Sequence, residues 1–265
     1  MEHVVIGLND EVTARAGVTW AIERARTKTL HLLLVAELDT AGSNPGKAKQ
    51  RLTKASLQIK ALVPSAAVEF LLADRPLLPE LLERSETADL IVVGSHADPG
   101  IREIRTPSFP VSLGARAKCP VVIVPYDWEV RSGPIVVGVE AEGASDAAVA
   151  AAAREAIESG RELRIVHTWE PWMTLATRSE QLAHDGIIAQ VTQRVRIEFP
   201  AARIVTVLAE AVAHEGIIAN SRDANLIVLG SHGIGRESGV VLGAIHQEVM
   251  IRGSIPLCVV PLPRA

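Results

Sequence analysis

The chain has 265 residues, of which 48% are hydrophobic, and a formal net charge of -4 with a pI near 6.1. That apolar content is enough for two domains with a core each and excludes a disordered polymer. The acidic balance excludes a nucleic-acid binder that works through a broad basic surface, leaving room only for a local patch.

Val4 to Leu8 reads as a strand, with Asn9-Asp10-Glu11 as the turn after it. A helix follows, its apolar stripe including Val12, Ala16 and Trp20. His31 to Ala36 is a second strand. The loop Ala41-Gly42-Ser43-Asn44-Pro45-Gly46-Lys47 fails as a Walker A motif, because Ala41 stands at the first glycine and Ala48 where Ser or Thr would bind magnesium. Lys47 to Leu62 is a helix, Val68 to Ala73 a strand, Leu77 to Ser85 a helix and Leu90 to Val93 a strand. A helix around Val111 to Ala117 and a strand at Val121 to Val124 complete the first half. The second half repeats the order: strands at 135–139, 163–167, 203–208, 226–229 and 257–260, and helices near 145–158, 179–198, 212–221 and from 244. Strands alternating with helices call for right-handed crossovers and a parallel sheet covered on both faces, so the class is α/β.

The chain writes this pattern twice. Ala88-Asp89-Leu90-Ile91-Val92-Val93-Gly94-Ser95-His96 returns as Ala224-Asn225-Leu226-Ile227-Val228-Leu229-Gly230-Ser231-His232. The starts, Val4 to Leu8 and Ile135 to Val139, and the ends, Val121 to Pro125 and Leu257 to Pro261, correspond as well. Repeats of that length indicate a tandem duplication of a whole domain. The expected boundaries are 1–126 and 135–265, with 127–134 as linker. Cys119 and Cys258 are not equivalent in the two copies and lie beside or within apolar strands, so they read as core residues in a reducing compartment. Neither a signal-like N-terminus nor a run long enough to cross a bilayer is present, and a cytoplasmic protein without a membrane partner is expected.

Gly230, Gly233, Gly235, Gly239 and Gly243 follow an apolar strand and lead toward a helix. A loop of this kind lets backbone N–H groups approach an anion, usually phosphate. The spacing Gly230-x2-Gly233-x9-Gly243 before a small residue, with a first strand ending in an acidic residue, resembles the universal stress protein family over nearly the whole chain. The second copy is the closer match. The resemblance implies two tandem five-stranded parallel-sheet sandwiches of the adenine nucleotide alpha hydrolase-like type, strand order 3-2-1-4-5, with ATP bound by some members. Carried over, Gly230, Gly233 and Gly243 would surround the phosphates, with Gly235 and His232 on the same loop. Ala244 takes the place of the family's Ser or Thr, and Glu140 that of an Asp reaching the adenosine. His167 and Thr168 are placed to flank an adenine edge through their backbone, the alternative for His167 being an ordinary strand-end histidine.

The first copy departs from that pattern. Ala97 and Pro107 replace the second and third glycines, Asp98 adds negative charge and Asn9 replaces the acidic residue, so its site is expected to be defective. The leading expectation is a stress-response or regulatory protein holding ATP or AMP, with magnesium accompanying ATP, in the C-terminal domain. A structural or protein-interaction module with both sites lapsed is the alternative. An enzyme is not expected, since neither a zinc helix nor a nucleophile elbow is present, although slow ATP hydrolysis stays open with His96, His232 and His246 as acid–base candidates. The short apolar fifth strands, at the sheet margin by resemblance, suggest an internal pseudo-dimer and leave homodimerisation open. Trp20, Trp169 and Trp172 read mainly as packing residues, and Arg236, near Glu237, as a solvated loop residue.

Overall fold

The computed structural model describes residues 1–38, 45–96, 108–140, 145–170, 178–231 and 242–262. Two compact units are formed, one built on Met1–Val130 and one on Arg131–Ile234 with Gly243–Ala265.

In the first unit, strands β1 (Glu2–Gly7), β2 (Leu30–Glu37), β3 (Ala67–Ala73), β4 (Leu90–Ser95) and β5 (Val121–Pro125) alternate with helices α1 (Glu11–Ala25), α2 (Pro45–Leu62), α3 (Leu77–Arg84) and α4 (Phe109–Arg116). The strands pair in parallel in the order β3-β2-β1-β4-β5. α1 packs on α2 and α3 on α4, one pair to each face. The interior strand β4 is therefore buried at every position, which is why its sequence is a continuous apolar block and does not alternate.

α1 is set by its cap. The Asp10 carboxylate accepts hydrogen bonds from the Val12 and Thr13 amides at 2.9 and 3.0 Å and from the Thr13 hydroxyl at 2.6 Å. This start turns the helix so that Thr13, Ala16, Gly17, Trp20 and Ala21 face the sheet. Val12, assigned to the apolar stripe from its spacing, is instead 43% exposed, because it occupies the solvent side of the capped first turn.

The second unit repeats the plan with β6 (Ile135–Val139), α5 (Asp146–Glu158), β7 (Glu162–Trp169), α6 (Arg178–Glu198), β8 (Arg203–Glu210), α7 (Ala213–Ala219), β9 (Leu226–Gly230), α8 (Ala244–Arg252) and β10 (Leu257–Val260). Its order is β8-β7-β6-β9-β10, again 3-2-1-4-5 and again parallel. α5 and α6 pack together, as do α7 and α8. One glycine in each copy makes the fit possible. A β-carbon on Gly7 would lie 2.7 Å from Leu81, and one on Gly138 2.7 Å from Leu229 and 3.0 Å from Ile217.

Both cysteines are buried, and they are not joined in a disulfide. Burial pushes the Cys119 thiol up to about 12, which leaves almost no thiolate near neutrality. A thiol reagent at pH 8 is expected to label Cys119 only after denaturation. Rapid labelling of the folded protein at that residue, mapped by mass spectrometry, would contradict this burial.

Candidate functional site

In each unit the strand order reverses between the first and fourth strands, β1 and β4 or β6 and β9, and such a switch point opens a crevice outside the carboxyl ends of the strands. What stands at that crevice differs between the units.

In the second unit, parallel pairing brings the ends of β6, β7 and β9 to one side, and with them Glu140, His167, Thr168 and Gly230. Glu140 is exposed, and its amide donates to the Ser145 hydroxyl at 3.0 Å. Ser145 precedes α5 but makes no side-chain cap to it. α8 is likewise entered through Gly243 with no side-chain cap, and its first turn, starting at Ala244, carries no acidic residue. Gly243 thus brings no side chain to the start of α8, and no carboxylate stands in that first turn.

Sequence reasoning missed two supports of this region. His246 is 4% exposed, and its Nε2 donates to the Gly230 carbonyl at 2.8 Å, tying the end of β9 to the first turn of α8. His184, on α6, meets His167. The Val139 carbonyl can only accept, so the 2.9 Å contact fixes the proton of His167 on Nδ1. Its Nε2 then accepts from His184 Nδ1 at 2.8 Å. His184 also stacks on Trp169, with ring centroids 4.8 Å apart. The signal for His184 was in its spacing: 184, 188, 191, 192 and 195 form one helical stripe, and the last four, Ile188, Val191, Thr192 and Val195, are buried. Burial, and then the neighbouring His167, lower the pKa of His184 and keep it neutral. Thr168 turns the other way and sets its methyl against Gly216, where a β-carbon would lie 2.5 Å from it, so only its backbone is left for the crevice. His232, Gly233 and Gly235 lie outside the described residues, as do Trp172, Arg236 and Glu237.

The first unit is built differently at the corresponding place. From the glycine shared by the first strands, the helix begins four residues later in this unit (Gly7 to Glu11) and eight later in the other (Gly138 to Asp146). The short connection draws α1 onto β4, so that a β-carbon on Gly94 would sit 2.1 Å from the Thr13 carbonyl oxygen. Asp10 already fills the first amides of α1, and His96 Nε2 lies 3.2 Å from its carboxylate. α4 has proline in its first turn, Pro110, which removes a donor, and no side-chain cap from Ser108. Ala97, Asp98 and Pro107 lie outside the described residues.

The fold and these two switch points define a tandem α/β protein of doubly wound parallel-sheet topology, duplicated within one chain. The chain belongs to the universal stress protein family, whose model matches residues 1–125 and 132–261. A universal stress protein of Mycobacterium tuberculosis is 26% identical over 285 residues, covering 97% of this chain and 96% of the relative. Another from the same species is 24% identical, covering 97% and 95%. The crystal structure of a universal stress protein from Archaeoglobus fulgidus superposes with a TM-score of 0.68 at 18% identity, covering 97% of this chain and 96% of the other, a likeness of fold.

Two predictions follow for the first unit. Gly94→Ala should destabilise the protein by about 3 kcal/mol in urea unfolding, since backbone and not a movable side chain opposes the new methyl. An unchanged midpoint would deny the close approach. For Asp10, burial raises the pKa, but the bonds from Thr13 and Val12 and the nearby His96 together lower it below 3.8. Its contribution to stability is therefore fully present above pH 3.8 and is lost as pH falls through the lower folded-state value. Asp10→Ala should cost about 1 kcal/mol at pH 7, a difference that shrinks toward pH 2. A difference independent of pH would show that the carboxylate is not the cap.

Proposed function

We propose that this protein is a nucleotide-responsive stress regulator in which the C-terminal domain, residues 135–265, holds ATP or AMP and the N-terminal domain, residues 1–126, does not. The observation that carries the reading is the contrast between the helix starts. A carboxylate sits on the amides of α1, whereas its counterpart α5 takes no side-chain cap from Ser145, and α4 carries a proline in its first turn where α8 carries none. Two anions cannot share one set of amides, whereas a helix N-terminus without a carboxylate in its first turn attracts phosphate.

In this reading Gly230, Gly233, Gly235 and Gly243 keep β-carbons away from the phosphates, and Ala244 offers its amide in place of a hydroxyl. His232 lies on the same loop. The Glu140 carboxylate reaches toward the ribose, and the His167 and Thr168 backbones flank the base. His246 fixes the Gly230 carbonyl and so the geometry of the loop entrance. Magnesium would enter with the ATP phosphates. The role is binding and not turnover, since the His246 imidazole is committed to Gly230 and His96 stands in the first unit beside Asp10. Nucleotide would act by favouring one conformation of the loop between Gly230 and Gly243 over others and thereby altering a surface read by a partner in the cytoplasm. Consistent with that location, no helix among the described residues is long and apolar enough to cross a membrane.

One observation favours the alternative, a structural or interaction module. Ala244 supplies no hydroxyl, a loss of roughly 1 kcal/mol if that bond forms in relatives. Calorimetry separates the two. The full chain should bind one equivalent of ATP, and Ala244→Asp should weaken binding at least tenfold while leaving the melting temperature unchanged or raised, because an acidic residue suits a helix start but repels phosphate. No heat with ATP or AMP would favour the interaction module. Two equivalents, or affinity indifferent to Ala244→Asp, would refute the asymmetric reading.

A further inference from the structure

The His167–His184 pair is not needed to flank a base through the backbone, and its arrangement has a chemistry of its own. His167 is 4% exposed, and its Nδ1 proton is fixed on the Val139 carbonyl. A backbone carbonyl holding one ring nitrogen is the usual support of a metal-ligating histidine, because it orients the ring and raises the basicity of the other nitrogen. That other nitrogen, Nε2, has its lone pair aimed at His184 Nδ1, 2.8 Å away. His184 is half-buried and lies on a helix, so its ring can swing outward without disturbing the strand.

We propose that His167 and His184 form a binding site for a divalent transition metal of the imidazole-preferring class, Zn2+, Ni2+ or Cu2+, which bridges β7 and α6. Zn–N bonds of about 2.0–2.1 Å at a tetrahedral centre put two nitrogens about 3.4 Å apart, so the rings need to separate by roughly half an ångström. The metal takes the place of the hydrogen between the two rings. His184 changes tautomer, its hydrogen passing from Nδ1 to Nε2 by exchange with water, so that both facing nitrogens become ligands with no net proton released and no change of oxidation state. No group of three or more His, Cys, Asp or Glu side chains is assembled as a cage among the described residues, so the remaining positions belong to water. Glu180, one helical turn before His184, acts on that imidazole with its negative charge and favours a cation there. Trp169, stacked on His184, covers one side of the pair and provides an optical reporter.

A second histidine pair must be distinguished. His3 and His31 approach with ring centroids 4.9 Å apart, and His31 Nε2 is 3.2 Å from Glu69. There no backbone carbonyl is recorded as fixing the tautomer, His3 is exposed, and the first unit holds the pair.

The test is titration of the untagged full chain with ZnCl2 and NiCl2 by calorimetry and tryptophan fluorescence, without nucleotide. One equivalent should bind, with Ni2+ quenching Trp169. His184→Gln, which keeps a hydrogen-bonding group opposite His167 but removes the imidazole, should weaken binding at least tenfold and abolish the quenching. Glu180→Gln should weaken it a few-fold, and His31→Ala should leave it unchanged. In the wild type the melting temperature should rise with metal concentration, and in His184→Gln it should not. Circular dichroism of each variant confirms that the fold is retained. Absence of binding below millimolar metal, affinity unchanged in His184→Gln, or loss confined to His31→Ala would overturn the proposal. None of these readouts involves nucleotide, so their failure leaves the function of the α8 loop untouched.

Discussion

The distance between the end of the first strand and the start of the first helix decides how that helix meets the sheet in each copy. A doubly wound parallel sheet leaves an opening only where adjacent crossovers go to opposite faces, and the first helix forms one wall of that opening. With four residues from Gly7 to Glu11, α1 is capped at once by Asp10 and pressed onto β4, backbone against backbone at Gly94 and Thr13. With eight residues from Gly138 to Asp146, α5 starts further along the chain, and the hydroxyl of Ser145 holds the Glu140 amide instead of capping its own helix. One duplicated plan thus acquires two different mouths through a change in connection length, while the strands and their order are untouched.

The second unit then distributes its strand-end side chains by simple alternation. At the end of β7, His167 and Trp169 face α6, where His184 meets both, while Thr168 faces α7 and packs on Gly216. Among the described residues, the end of β7 thus turns only backbone groups to the crevice. Buried imidazoles supply the rigidity: His246 binds the Gly230 carbonyl and His167 the Val139 carbonyl, so that two of the three strands at the mouth end in a carbonyl held by a side chain. A buried carbonyl left without a partner would be costly, and this explains histidines at positions where a hydrophobic residue would pack equally well.

Much of the fold was legible in the sequence because strands covered on both faces become unbroken apolar blocks, as in Leu90 to Val93 and Leu226 to Leu229, and because the duplication let each copy confirm the other. The orientation of α1 was not legible. Spacing alone favoured Val12, but the cap at Asp10 decides which residue of the first turn faces inward, and it chose Thr13, whose hydroxyl serves the same carboxylate. At the candidate site the glycines and the strand-end residues could be named from resemblance, since they follow apolar blocks directly. The partners could not. His184 lies 17 residues from His167 and His246 lies 16 from Gly230, and nothing local signals that a helix carries either ring back to a strand end. A histidine on an otherwise apolar helical stripe is the one trace such pairings leave.

The asymmetry between the two copies is the central claim, and hydrogen exchange read by mass spectrometry tests it most directly. In the full chain, added ATP should slow amide exchange in peptides spanning 226–252 and leave those spanning 90–116 unchanged. Protection that appears in 90–116, or equally in both stretches, would contradict the account.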